Sequence, residues 1–457
     1  VKPYQEFIAR KSQIVGMSGF EPVWMPDFLF DFQRALVEWS IRKGRAAIFA
    51  DTGLGKTPMQ LVWAENVARK AGRPVLILTP LAVSVQTSRE GEKFGIECKV
   101  SRDGKIASRI TITNYERVHY FNADDFAGVV CDESSVLKAF DGKRRKAVTR
   151  FLSHIPYRLL CTATAAPNDF IELGTASEAL GEMTQSDMLS MFFRASDNAR
   201  HSLFREGDFW NRPKWFFRAH SELPFWRWVC SWARAIRKPE DLGFDGSRFR
   251  LPPLNIKQHV IERAFIPDGE LFPTVARTLR QQRDERQRTV DERCEMVAGL
   301  VNHDRPSLVW CQYNREGNVL EKMIPDSVQV AGCDTDEDKE DRLDAFALGK
   351  VRVLVTKPRV ACWGMNYQHC AHQTFFPSHS FEQWYQAIRR SWRFGQEHPV
   401  YIDIVSTKGE AGVTANLKKK QDKADQMFSA LVAEMNHSRV IEQNEKHVNP
   451  MELPAWL

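Results

Sequence analysis

Ala50-Asp51-Thr52-Gly53-Leu54-Gly55-Lys56-Thr57 brings two glycines, a lysine and a hydroxyl together, directly after an apolar run and before a helical stretch from Met59 to Lys70. Strand, glycine loop and helix are the context in which such a pattern holds a triphosphate. Thr52, Gly53, Leu54 and Gly55 form the cradle, where the glycines let backbone N–H groups approach phosphate oxygens. Lys56 is placed to neutralise the β- and γ-phosphates, and the Thr57 hydroxyl can take Mg²⁺.

Val129-Val130-Cys131-Asp132-Glu133 is an apolar strand ending in two carboxylates. At the carboxyl edge of a sheet, Asp132 is placed to hold Mg²⁺ through water, and Glu133 to orient and deprotonate the attacking water. A third cluster runs from Gln386 to Gln396 and holds Arg389, Arg390 and Arg393. Arg390 and Arg393 are i,i+3 and share a helix face, so both can reach one anion, such as a γ-phosphate gaining charge in a transition state. An exposed basic helix has the same spacing.

These groups need a scaffold. Between residues 45 and 164, β-rich runs occur at 46–50, 75–78, 110–112, 129–131 and 158–161, and a second series occurs at 308–311, 328–330, 351–355, 374–376 and 400–405. Continuous apolar runs of this length, separated by helix-length spacers, predict parallel sheets covered on both faces. The expected fold is α/β with two sheets of similar size. Between them, residues 176–255 carry Trp210, Trp215, Trp226, Trp228 and Trp232 with interleaved arginines, and predict a mainly helical insertion. Such aromatics can stack on unpaired bases, but the core of a small helical subdomain explains them at least as well. The charge-dense stretch Arg277 to Glu295 predicts an exposed helix.

At 457 residues and 52.6 kDa the chain is too long for a peptide hormone, a knottin or a single small binding module. Hydrophobic residues at 43% and charged residues at 27% are a globular composition, and a net charge of +6 permits a polyanionic partner without requiring one. Nine scattered cysteines with no CxxC pair argue for a reducing compartment and against structural zinc, and Cys362, His369, Cys370 and His372 read as local packing. No run of 18 or more apolar residues exists, so no membrane association is expected.

Taken together, the order and spacing of these pieces resemble superfamily 2 helicases and translocases, most closely the Swi/Snf-type ATPases. The resemblance runs from about Phe28 to Ser406. It rests on Ala50 to Thr57, on Leu78-Thr79-Pro80 with Gln86, on Ile112-Thr113-Asn114-Tyr115-Glu116, on Asp132-Glu133-Ser134-Ser135, and on Thr162-Ala163-Thr164 with Pro167-Asn168. In the second half it rests on Gln312-Tyr313-Asn314, Gly332, Arg342, Phe346, Gly364-Met365-Asn366 and, most specifically, on Gln386, Arg390, Arg393, Gly395 and Gln396. Ser135 stands where the family has a histidine, and Arg389 where it often has a small residue.

The resemblance implies two RecA-like lobes: an N-terminal extension (1–25), an ATP-binding lobe (26–175), the insertion (176–255), a second lobe (256–435) and a tail (436–457). It implies that Gln33 reads adenine, that Gly364 lies near the nucleotide, that Gln386 belongs to the catalytic set, and that Arg390 and Arg393 are arginine fingers acting across the cleft. Asn114, Tyr115, Gln312, Tyr313, Lys357 and Arg359 become candidate nucleic-acid contacts. The implied activity is a nucleic-acid-stimulated ATPase, most readily a translocase on duplex DNA. A strand-separating helicase on DNA or RNA and an ATP-gated binder with little turnover are the competing expectations. Its compactness resembles a bacterial or phage-encoded member, hence a cytoplasmic protein, and no residue pattern names a protein partner.

Overall fold

The computed structural model describes residues 16–80, 83–139, 142–166, 169–196, 215–262, 279–361, 366–378 and 380–445. It is a mixed α/β structure with two parallel sheets flanked by helices. The seven-stranded sheet is built from β1 (Arg45–Ala50), β2 (Val75–Thr79), β3 (Cys98–Val100), β4 (Ile110–Asn114), β5 (Gly128–Cys131), β6 (Tyr157–Cys161) and β9 (Ala233–Ile236), in the order β3-β4-β2-β5-β6-β1-β9. Every ladder in it is parallel. Its central strands are apolar and buried along their length, as a sheet covered on both faces requires.

The six-stranded sheet contains β10 (Leu254–Ile261), β11 (Ser307–Trp310), β12 (Ser327–Val330), β13 (Val353–Thr356), β14 (His372–Phe375) and β15 (Val400–Thr407), in the order β10-β15-β14-β11-β13-β12, again all parallel. A short antiparallel pair, β7 (Phe193–Ala195) and β8 (Trp215–Phe217), stands apart from both.

Because β1, β5 and β6 are parallel neighbours, their C-terminal ends share one edge of the first sheet. Ala50 therefore opens into the glycine loop, Cys131 into Asp132-Glu133, and Cys161 into Thr162-Ala163-Thr164 side by side. This edge is where an open α/β sheet binds ligands.

Residues 176–255 depart from the expected helical insertion. Their last strand, β9, pairs with β1 from Ala47↔Ala233 to Ala50↔Ile236 and so belongs to the first sheet, while Leu254 already starts β10 of the second. Ahead of β9, the helix Glu222–Trp232 buries Trp226, Trp228 and Trp232 in the core of the first sheet, with Trp228 and Trp232 rings 5.5 Å apart. These tryptophans are core, and Trp215 is half-buried against the same cluster; Trp210 lies outside the described residues.

The helix Ala411–Glu445 leaves the second sheet and crosses to the first. Leu417 and Ala424 pack in the second core, whereas Met427, Phe428, Leu431 and Met435 complete the first. Arg237 pairs with Asp425 at 2.7 Å and Arg227 with Glu434 at 3.1 Å along this seam. The segment assigned to a tail from 436 thus continues this helix as far as Glu445. At the other end, residues of the N-terminal extension are tied down, since Val23 and Trp24 N–H groups both donate to Asn66 Oδ1. No helix of the described residues is long and apolar enough to cross a membrane.

Candidate active site

The glycine loop is shaped by backbone that side chains resist. Gly53 and Gly55 have φ of 89° and 75°, in the left-handed region. A Cβ on Gly55 would lie 2.3 Å from Gln33 Nε2, and one on Gly53 2.8 Å from the backbone nitrogen of Phe394. The loop therefore touches the second half of the chain directly. Gly55 caps the helix Lys56–Ala71 without any side-chain hydrogen bond, which leaves the first-turn N–H groups for an anion. Lys56 Nζ donates to Ala50 O at 3.1 Å, and Thr57 sits half-buried in the first turn.

Gln33, which the resemblance has reading adenine, has both ends of its amide bonded to backbone here. Its Nε2 donates to Leu54 O at 2.9 Å, its Oε1 accepts from Phe30 N–H at 3.1 Å, and the side chain is buried. The amide is a strut under the phosphate loop.

Asp132 and Glu133 are both buried at the end of β5. Asp132 Oδ1 accepts from Gln60 Nε2 at 2.7 Å, and its carbonyl accepts from the Tyr115 hydroxyl at 2.7 Å. Burial pushes both carboxyls above the usual range, opposed by Gln60 at Asp132 and by Lys56 and Arg390 at both. Glu133 has φ of 46°, a left-handed conformation that costs about 1–3 kcal/mol for a non-glycine residue and is concentrated at functional sites. Thr162 Oγ1 is 3.5 Å from its Oε2. Ser135 is buried, and its hydroxyl has no hydrogen-bond partner among the described residues.

From the second half, the helix Phe381–Ile388 and the turn after it deliver the arginines. Arg390 is buried, with Nε on Gln386 O at 3.0 Å and a terminal nitrogen on Gln386 Oε1 at 2.7 Å. Gln386, fully buried, thus fixes the guanidinium. Arg393 is hydrogen-bonded to Asn366 Oδ1, but its Nε has no partner among the described residues. Burial and the neighbouring Arg390 pull Arg393 down to about 9, so it is still a cation at neutral pH. Both carboxyls therefore lie within electrostatic reach of Lys56 and Arg390, and Glu133 of Arg393 as well, so charged groups from the two halves of the chain are neighbours at this edge. The donor set fits a nucleotide with its Mg²⁺: open first-turn N–H groups, an unpartnered guanidinium N–H, a half-buried hydroxyl and two carboxylates.

Several expected residues are placed elsewhere. Gly364 and Pro167-Asn168 lie outside the described residues. Tyr115 is buried and bonded behind Asp132, so it supports the carboxylate strand and presents no surface to a nucleic acid. Asn114 caps a short 3-10 turn by accepting from Arg117 N–H at 3.0 Å, and is buried beside a cavity of about 80 Å³ lined also by Arg102, Arg117, Glu337 and Glu340. Gln312 donates to Phe376 O, and Gln312 and Tyr313 both give their backbone N–H to Glu316 Oε2. Lys357 bonds Asn314 Oδ1, while Arg359 is exposed.

Sequence reasoning missed Asp51, Tyr385 and Arg389. Asp51 accepts from Arg389 at 2.6 Å and from the Tyr385 hydroxyl, which ties the glycine loop to the second half of the chain. The only signal in the sequence was an extra arginine beside Arg390. Thr164 Oγ1 also reaches across, to Glu382 Oε1 at 3.1 Å. In comparisons with known proteins, no family model matches this chain and no curated protein matches it.

Proposed function

We propose that this protein is a nucleic-acid-stimulated ATPase built from two RecA-like lobes, and that it works as a translocase on duplex DNA. The observation that carries the ATPase reading is that Lys56, Asp132, Glu133, Arg390 and Arg393, from both halves of the chain, are electrostatic neighbours where the glycine loop packs against Arg393 and Phe394. ATP is the substrate. Thr57 and Asp132 would hold Mg²⁺, which would supply charge that neutralises the phosphates.

Lys56 and the first-turn N–H groups bind the phosphate chain. Glu133, held by its unusual backbone and by Thr162, takes the proton of the attacking water. Arg390, oriented by Gln386, and Arg393 stabilise the charge that develops on the transferred phosphoryl group. Thr164, after β6, and Glu382 connect the first sheet to the helix that leads into the arginine turn, which is the route by which hydrolysis reaches lobe movement. Duplex DNA as the track follows from the family resemblance. Exposed Arg359 is the candidate contact that leaves a cation available to a polyanion.

The test is steady-state ATP hydrolysis without nucleic acid and with single-stranded DNA, duplex DNA or RNA, with Glu133→Gln as control. Stimulation by duplex, lost in the variant, is the expected result. Stimulation by single strands or RNA alone would replace the translocase with a helicase, and no hydrolysis under any condition would overturn the motor.

A further inference from the structure

The pair Asp51–Arg389 is buried, with side-chain exposures of 6% and 11%, and joins the two halves of the chain at the phosphate loop itself. Asp51 Oδ2 accepts from Arg389 at 2.6 Å, and Oδ1 accepts from the Tyr385 hydroxyl and, at 2.6 Å, from the N–H of Thr52. The same carboxylate therefore fixes the first peptide of the glycine loop and the second half of the chain. Arg389 is in turn held flat, with its guanidinium carbon 4.4 Å from the Trp392 ring centre and 5.2 Å from that of Tyr385. Arg389 immediately precedes Arg390 in the chain, and Gly53 lies against Phe394 and Arg393.

We infer that Arg389 and Tyr385 clasp Asp51 to set the position of the Arg390–Arg393 turn against the phosphate loop, and that Arg389 cancels a carboxylate charge beside the triphosphate. This inference rests on the proposed ATPase activity. Arg389 is a positioning residue: it touches Asp51, Tyr385 and Trp392, and acts on the reaction through the placement of Arg390 and Arg393. Two separable effects follow. Loss of Arg389 leaves a buried carboxylate unpaired next to where phosphates bind, which weakens nucleotide binding. It also releases the turn, and a displacement of about 1 Å in a catalytic group lowers turnover by up to about 100-fold.

The experiment measures kcat and KM for ATP in Arg389→Ala, in Asp51→Asn/Arg389→Ala and in Arg389→Lys, together with amide hydrogen exchange of residues 50–57 and 385–396. Arg389→Ala is expected to raise KM and to lower kcat by roughly 10- to 100-fold. Adding Asp51→Asn recovers KM, because the stranded charge is gone, but leaves kcat low, because the clasp is still absent. Arg389→Lys restores the charge without the flat stacked contact, so it recovers KM fully and kcat in part. Exchange rises in both loops together in Arg389→Ala.

A merely structural pair would lower the thermal midpoint and leave kcat of the folded protein unchanged; that result, or exchange that rises in only one loop, overturns the inference. Should the unaltered protein hydrolyse no ATP, the proposed function fails separately. The joint rise in exchange then still supports the clasp, and independent exchange refutes it.

Discussion

Replacing Gln33 with leucine separates two explanations of the same residue. The side chain keeps its volume but loses the amide, which leaves the Phe30 N–H and the buried Leu54 carbonyl without their partners. A lost buried hydrogen bond costs about 1–3 kcal/mol. Because Leu54 lies between the two glycines, one such loss expressed in the ordering of the loop weakens nucleotide binding by roughly 5- to 150-fold. A strut under the phosphates is blind to the base. KM should therefore rise by the same factor for ATP and GTP, and the ratio of kcat/KM between them should stay at its original value. The assay is initial-rate hydrolysis of both nucleotides over a range of concentrations. If the variant instead loses discrimination while its KM for GTP is unmoved, Gln33 reads adenine and the reasoning from its hydrogen bonds is wrong.

Glu133→Gln should abolish hydrolysis while raising the thermal midpoint of the nucleotide-free protein at neutral pH. Burial raises the folded-state pKa of Glu133, so its contribution to stability is full below the unfolded value and is lost as pH rises through the folded one. The stabilisation by glutamine should accordingly vanish near pH 4, and its persistence there would contradict the assignment. Between the helices Val290–Leu300 and Asn314–Met323, Glu316 lies 2.7 Å from Arg293 and accepts the backbone N–H groups of Gln312 and Tyr313. Both side chains are essentially unexposed, so Glu316→Gln strands a buried cation and should cost about 3–5 kcal/mol in urea unfolding. Adding Arg293→Met should return much of that loss.

Ten strands of the two sheets coincide, within a residue or two at their ends, with apolar runs visible in the sequence, because strands buried on both faces have no alternation to obscure them. The three strands that were not visible, β3, β9 and β10, are all at sheet edges, where only β12 had shown itself. β9 reads Ala-Arg-Ala-Ile, with Arg234 held over the Trp39 ring at 4.2 Å, and β10 is exposed along most of its length. Neither carries enough apolar side chain to announce itself. The glycine loop and the Asp132-Glu133 pair were legible because each lies in a local pattern tied to the end of a strand. The clasp was not, since Asp51 and Arg389 are distant in sequence and only folding makes them neighbours. Tyr115 and Gln33 show the complementary limit: their positions were identifiable, but the hydrogen bonds that define their work depend on packing.

The helix Ala411–Glu445 bears on how the chain is made. Met427, Phe428, Leu431 and Met435 close the core of the first sheet, beside β9 and the tryptophan helix. On the ribosome that sheet must wait, with one flank uncovered, until the entire second sheet has been translated. Its exposed tryptophans and unsealed edge strand are then natural clients for chaperones, and a nascent chain stalled before residue 411 would carry a sticky surface that the finished molecule hides.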